Sequence, residues 1–237
     1  MSRERPIGGT TGQGRAGAEV SYYKRDFWGA ENLKYAEPHF RLRKVARTIS
    51  RLTEGKQCDL LDLGCGPAAL AHLLPANVHY HGIDIAIQHP APNLVEMDIL
   101  AQPISFRGQK FDVITAQGLF EYVGEYQERK LSEIADLLRD DGKFVVTYQN
   151  FAHRKHSIYR PYSNVQLPED FRADLNNFFK IDRSFPVAHN WNHKHPNRKF
   201  VQVPQERLNI DVPIVSRLLA VDYLYIASPR RGPATPS

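Results

Sequence analysis

Five short, largely apolar runs stand between residues 59 and 150: DLLDLG (59–64), VHYHGIDI (78–85), NLVEMDI (93–99), KFDVITAQ (110–117) and GKFVVTYQN (142–150). A strand with one wet face alternates apolar and polar residues, whereas a continuous apolar run belongs to a strand covered on both faces. The segments between them carry helical spacing. AALAHLL (68–74) reads as a helix stopped by Pro75, and EYQERKLSEIADLLRD reads as one that begins near Glu121 and ends at Gly142. Ahead of the first run, EPHFRLRKVARTISRL sets Phe40, Leu42, Val45, Ala46, Ile49 and Leu52 on one helical face. Strands and helices in alternation predict an α/β fold around a parallel sheet. The C-terminal part breaks the alternation. A helix with an acidic first turn, LPEDFRADLNNF (167–178), precedes two strand patterns, FFKIDRSFPV (178–187) and LAVDYLYIAS (219–228), which predict an antiparallel pair at one end of the sheet.

The chain of 237 residues is long enough to bury a full core, and its 42% hydrophobic content is ordinary for a globular protein. Residues 1–19, with five glycines, and residues 229–237 are expected to be flexible tails. No apolar run has membrane-spanning length and no signal segment opens the chain, so a cytoplasmic location is expected. Cys58 and Cys65 form neither a disulfide nor a metal pattern. The net charge of +5 gathers in RLRKVAR (41–47), HRKH (153–156) and HKHPNRK (193–199). Such runs fit solvated faces, and also a phosphate-rich partner such as nucleic acid.

The first strand ends in LLDLGCGPAAL (60–70), where Gly64 and Gly66 make a turn that lets a backbone or a ligand approach closely. The second ends in Asp84, 18 residues after Gly66, where an acid can take ribose hydroxyls. GCGPAA also satisfies a dinucleotide fingerprint. Asp62 argues against that ligand, because a carboxylate two residues before the first glycine would repel a pyrophosphate. A sulfonium and an ammonium group are attracted instead. Asp98 follows the third strand, where it can accept from an adenine amino group while Ile99 covers the ring. The fourth strand runs into a turn at Gln117 and Gly118, at the sheet edge where open α/β folds bind ligands.

In order and spacing, LLDLGCGP, GIDI, MDIL and FDVITAQGLFEYV resemble the class I S-adenosylmethionine-dependent methyltransferase family, well over residues 58–150 and in outline elsewhere. The resemblance implies a Rossmann-like α/β fold: a seven-stranded, mostly parallel sheet with an antiparallel last strand and helices on both faces. It implies one domain over residues 20–228, with an N-terminal helical lid (20–57), a cofactor-binding core (58–150) and an acceptor-binding part (151–228). It implies S-adenosyl-L-methionine as cofactor, held by Asp62, Gly64, Cys65, Gly66, Asp84, Ile85, Asp98, Ile99, Gln117 and Gly118. SYYKRDFW (21–28), and Tyr23 within it, would fold over the cofactor, or else anchor a terminal arm. Arg41 meets the methionine carboxylate or faces solvent. The link IAIQHPAP is short and holds two prolines, so the helix usual there is reduced to a turn.

Methyl transfer needs an in-line arrangement, and a base where the acceptor is a hydroxyl or a protonated amine. His153, just past the fifth strand, is the candidate base; Tyr148 and His156 lie nearby, and His189, His193 and His195 follow later. Gln117, Gln149 and Asn150 are poor ligands for a hard cation, so no metal is expected. The acceptor expected is a small molecule bearing a hydroxyl or amine, aromatic or acidic in character. The alternatives are an RNA acceptor and a catalytically inactive cofactor-binding subunit that works through a partner.

Overall fold

The computed structural model describes residues 40–150, 166–189 and 220–230. The N-terminal tail, Tyr23 and its aromatic segment, His153, His156, His193 and His195 lie outside the described residues, as does the side chain of His189. Among the described residues no helix is long and apolar enough to cross a membrane.

Seven strands form one sheet in the order β3-β2-β1-β4-β5-β7-β6. They are β1 (Cys58–Leu63), β2 (Val78–Asp84), β3 (Leu94–Glu96), β4 (Phe111–Gln117), β5 (Leu138–Gln149), β6 (Phe179–His189) and β7 (Ala220–Pro229). β1 to β5 are parallel neighbours, and β7 runs antiparallel to both β5 and β6. Six strands therefore point one way and β7 the other, as the sequence led one to expect.

The two faces bury alternate residues of each strand. Helix α1 (Phe40–Leu52) sets Val45, Ala46 and Ile49 against Leu60, Val113, Val145, Phe185 and Leu224. On the opposite face α2 (Gln127–Leu137) and α3 (Pro168–Phe178) bring Leu131, Ile134, Phe171 and Leu175 onto Leu61, Ile114, Phe144, Val146 and Tyr225. Tyr148 stacks on Phe171 with ring centroids 4.1 Å apart.

Two expected helices differ. The segment 68–74 keeps only a 3-10 turn at Ala71–Leu73. Ala68 stands at φ 55°, outside the helical region, and too few residues remain before Pro75 to build an α-helix. The helix expected from Glu121 is two 3-10 turns, Phe120–Tyr122 and Gly124–Tyr126, and α2 starts only at Gln127. Gly124 at φ 58° interrupts the helical run. At its other end α2 stops at Leu137, because Leu138 already pairs with Phe111 in the sheet.

Candidate active site

Parallel strands end at a common edge. Here that edge carries the ends of β1, β2, β4 and β5, and the antiparallel β7 adds its beginning: Asp222 pairs with Gln149. A cleft of about 260 Å³ opens along it.

The turn after β1 forms the floor. Gly64 (φ +70°) and Gly66 (φ 52°) adopt the left-handed conformation, and the Gly64 and Cys65 amides donate to Ile83 O at 2.8 and 3.1 Å. Asp84 locks the turn from β2. Its Oδ2 accepts from the Gly66 amide at 2.7 Å and its Oδ1 from the Ala86 amide at 3.0 Å. Gly82 is required for this packing, since a Cβ there would stand 2.8 Å from Cys65 Sγ and 2.8 Å from Leu94 Cδ2. Burial raises the Cys65 thiol far above its ordinary range, so it packs rather than reacts.

Asp62 is buried beside the turn, with Tyr80 donating its hydroxyl to Oδ2 at 2.8 Å. Burial pushes its carboxyl up to about 7, against the pull of the Tyr80 bond and with the Asp84 charge adding to the rise. Toward β3, Asp98 Oδ1 accepts from the Leu100 amide at 2.9 Å, and Ile85, Met97 and Ile99 supply an apolar wall. Toward β4, Gly118 stands at φ +63°, and its amide donates to Thr147 Oγ1 at 3.0 Å. All ten of the core residues singled out from the sequence, from Asp62 to Gly118, line this one cleft.

Two further charged residues, Arg41 and Glu121, complete its lining, and Asp222 stands behind Arg41. Arg41 reaches in from the start of α1. A Cβ on Gly118 would come within 3.0 Å of Arg41 Nη1, which itself lies 3.8 Å from Asp222 Oδ2. Of the two placements the sequence left open for Arg41, the cleft is the one found. Glu121, 2% exposed, accepts the Gln149 amide on Oε1 at 2.8 Å. Burial pushes it up to about 7, although its own backbone bond and Arg41 pull it down. Glu121 and Asp222 were not anticipated as site residues. Each is an acid set inside an apolar run, FEYV and AVDYLY, which is the same signal that marks Asp62 in LLDL.

Among the described residues, the buried atoms Arg41 Nε, Gln117 Nε2 and Oε1, and Glu121 Oε2 have no hydrogen-bond partner. These four belong to side chains lining this cleft, and the other two such atoms, His81 Nδ1 and Gln127 Oε1, lie outside it. Protein interiors satisfy nearly all such atoms, so their concentration on one cleft fits a polar ligand.

The sequence matches the methyltransferase domain family over residues 38–207, more than half of its length. The chain belongs to this methyltransferase family. No curated protein matches it by sequence. Solved structures share its fold at low identity. A Haloferax volcanii methyltransferase in complex with the Trm112 methyltransferase activator superposes with TM-score 0.62 at 13% identity, covering 88% of this chain and 98% of that one. A TehB-like SAM-dependent methyltransferase from Corynebacterium glutamicum gives TM-score 0.53 at 17% identity, with 79% and 88% covered. The 1,6-didemethyltoxoflavin-N1-methyltransferase of Burkholderia thailandensis, with 1,6-didemethyltoxoflavin and S-adenosylhomocysteine bound, gives TM-score 0.52 at 15% identity, with 81% and 79% covered.

Proposed function

We propose that this methyltransferase binds S-adenosyl-L-methionine in the cleft at the strand ends and methylates a hydroxyl or amine of a small, aromatic or acidic molecule. The observation that carries the cofactor reading is the charge of the cleft. Among the described residues, four carboxyl groups, Asp62, Asp84, Asp98 and Glu121, line it against one guanidinium, Arg41. Above neutrality, where Asp62 and Glu121 are ionised as well, that balance repels a pyrophosphate and attracts an ammonium and a sulfonium. Asp84, fixed by two backbone amides at the end of β2, stands where an acid can meet the ribose hydroxyls. Asp98 and Ile99 suit the adenine, Gln117 and Gly118 the methionyl part, and Arg41 its carboxylate. When bound, the cofactor supplies a methyl group on a positively charged sulfur. The chain's own part is to orient the reactants and exclude water, and orientation of this kind supplies on the order of 7–11 kcal/mol.

Calorimetric titration with S-adenosylhomocysteine, with NADH as control, tests the cofactor. Charge-assisted hydrogen bonds contribute about 1.5–3 kcal/mol each, so Asp84→Ala should weaken binding at least tenfold. No binding by the unaltered protein, or a preference for NADH, would overturn the reading. For the acceptor, methyl incorporation into phenols and amines should exceed incorporation into RNA. A dominant RNA signal that falls steeply with salt would reverse that choice.

A further inference from the structure

The cofactor reading leaves one end of the cleft unused. Across the sheet, Asp98 follows β3, Asp84 ends β2, the glycine turn follows β1, and Gln117 ends β4. These strands hold a nucleoside and its amino-acid tail. Beyond them, over β5 and β7, stand Glu121, Gln149 and Asp222. Neighbouring strands are about 4.8 Å apart, so β2 and β5 are separated by about 14 Å. A group held at the β5 end therefore lies past the tail, on the side from which an acceptor must approach.

We propose that Glu121 is the acceptor-side anchor: its Oε2 receives the N–H or O–H of the group to be methylated, which makes that group an amine or a hydroxyl. The geometry supports a single direction of use. Oε1 is already held by the Gln149 amide at 2.8 Å, which fixes the carboxylate, while Oε2 is buried without a partner among the described residues. Glu121 is 2% exposed and lines the cleft, so a ligand donor meets it away from bulk water. Gln117, on the neighbouring strand, offers both an amide donor and an acceptor with no protein partner among the described residues. An acceptor whose reacting atom is a carbon, or a thioether sulfur without a proton, would leave Oε2 unpaired. The inference rests on the cofactor reading above and deepens it.

Among the described residues, the charged and titratable groups facing Glu121 are Arg41 from α1, Asp222 from β7 and Tyr148 from β5. Burial holds Glu121 up to about 7, so the anchor carries its charge above neutrality and loses it in mild acid.

Sinefungin provides the probe. It matches S-adenosylhomocysteine except that a carbon bearing an amine replaces the sulfur, placing an ammonium where the transferred methyl would be. Both are titrated calorimetrically into the full chain and into Glu121→Gln, at pH 8 and pH 5.5. The expected result is that the unaltered protein prefers sinefungin by at least tenfold at pH 8, and by much less at pH 5.5. Glu121→Gln, which keeps an oxygen for the Gln149 amide, should lose the preference and retain its affinity for S-adenosylhomocysteine. A preference that survives Glu121→Gln, or none at either pH in the unaltered protein, overturns the assignment. So does a variant that is folded by circular dichroism yet loses S-adenosylhomocysteine, since Glu121 would then serve the cofactor end. Asp62 also ionises near 7 in this cleft, so the same pH series on Asp62→Asn decides the matter if the Glu121 variant does not fold: a pH-dependent preference that vanishes there overturns the assignment. Failure of the unaltered protein to bind S-adenosylhomocysteine at all overturns the cofactor reading itself, which separates the two ideas.

Discussion

Replacing Asp62 by Asn should make the protein more stable and its site worse. In the folded chain the Asp62 carboxyl keeps its proton up to about 7, whereas the ordinary value is 3.8. The unfolded chain therefore loses this proton first as pH rises. A group whose folded value is raised contributes stability that is complete below 3.8 and is lost as pH climbs to about 7. The loss corresponds to on the order of 4 kcal/mol at pH 8, an upper figure because the pocket relaxes around a charged group. Asparagine escapes it: it stays neutral, and its amide oxygen can still accept the Tyr80 hydroxyl. Urea unfolding at pH 4 and pH 8 provides the assay. The two proteins should agree at pH 4, and Asp62→Asn should be the more stable by a few kcal/mol at pH 8. For a chain this size that is a rise of about 2–4 °C in Tm per kcal/mol. A variant no more stable than the parent at pH 8 would refute the argument. The same substitution should weaken S-adenosylhomocysteine above neutrality, where the ionised acid attracts an ammonium.

Gly118→Ala forces a side chain onto a left-handed backbone, costing about 1–2 kcal/mol of stability by denaturant unfolding. Its Cβ would lie 3.0 Å from Arg41 Nη1, so the guanidinium must move, and calorimetry should show weaker S-adenosylhomocysteine binding. Lys130→Met breaks a buried pair: Lys130 Nζ donates to Glu133 Oε2 at 2.7 Å and to Gln102 O at 3.0 Å. Glu133 keeps Arg129 and the Ile104 amide, so the loss should lower the unfolding free energy by about 1.5–3 kcal/mol, with ligand binding unchanged since Lys130 does not line the cleft.

Sheet topology was readable because it follows from apolar periodicity and connection type, both properties of the chain itself. The antiparallel β7 was legible in the same way, from two adjacent strand patterns. Helix identity was less so. AALAHLL has excellent helical composition, and only the backbone at Ala68 reveals that its first turn points elsewhere. In the site, the glycine turn and the acids at strand ends stood out because they interrupt apolar runs at defined spacings. Arg41 could not be placed, since its fate depends on how α1 lies across the sheet. Glu121 escaped notice because it resembles an acidic residue at a helix start, and only the bond from the Gln149 amide shows that it turns inward.

The hairpin end of the sheet bears on how such a protein can diversify. His189 and Ala220 are paired residues on adjacent strands, so the chain leaves β6 and enters β7 at neighbouring points of the sheet. The sheet thus holds both ends of the connection from β6 to β7. Doubling the length of such a connection adds only about 0.6 kcal/mol of closure entropy. Lineages can therefore lengthen, shorten or exchange residues 190–219 as a cassette while the strand register stays fixed.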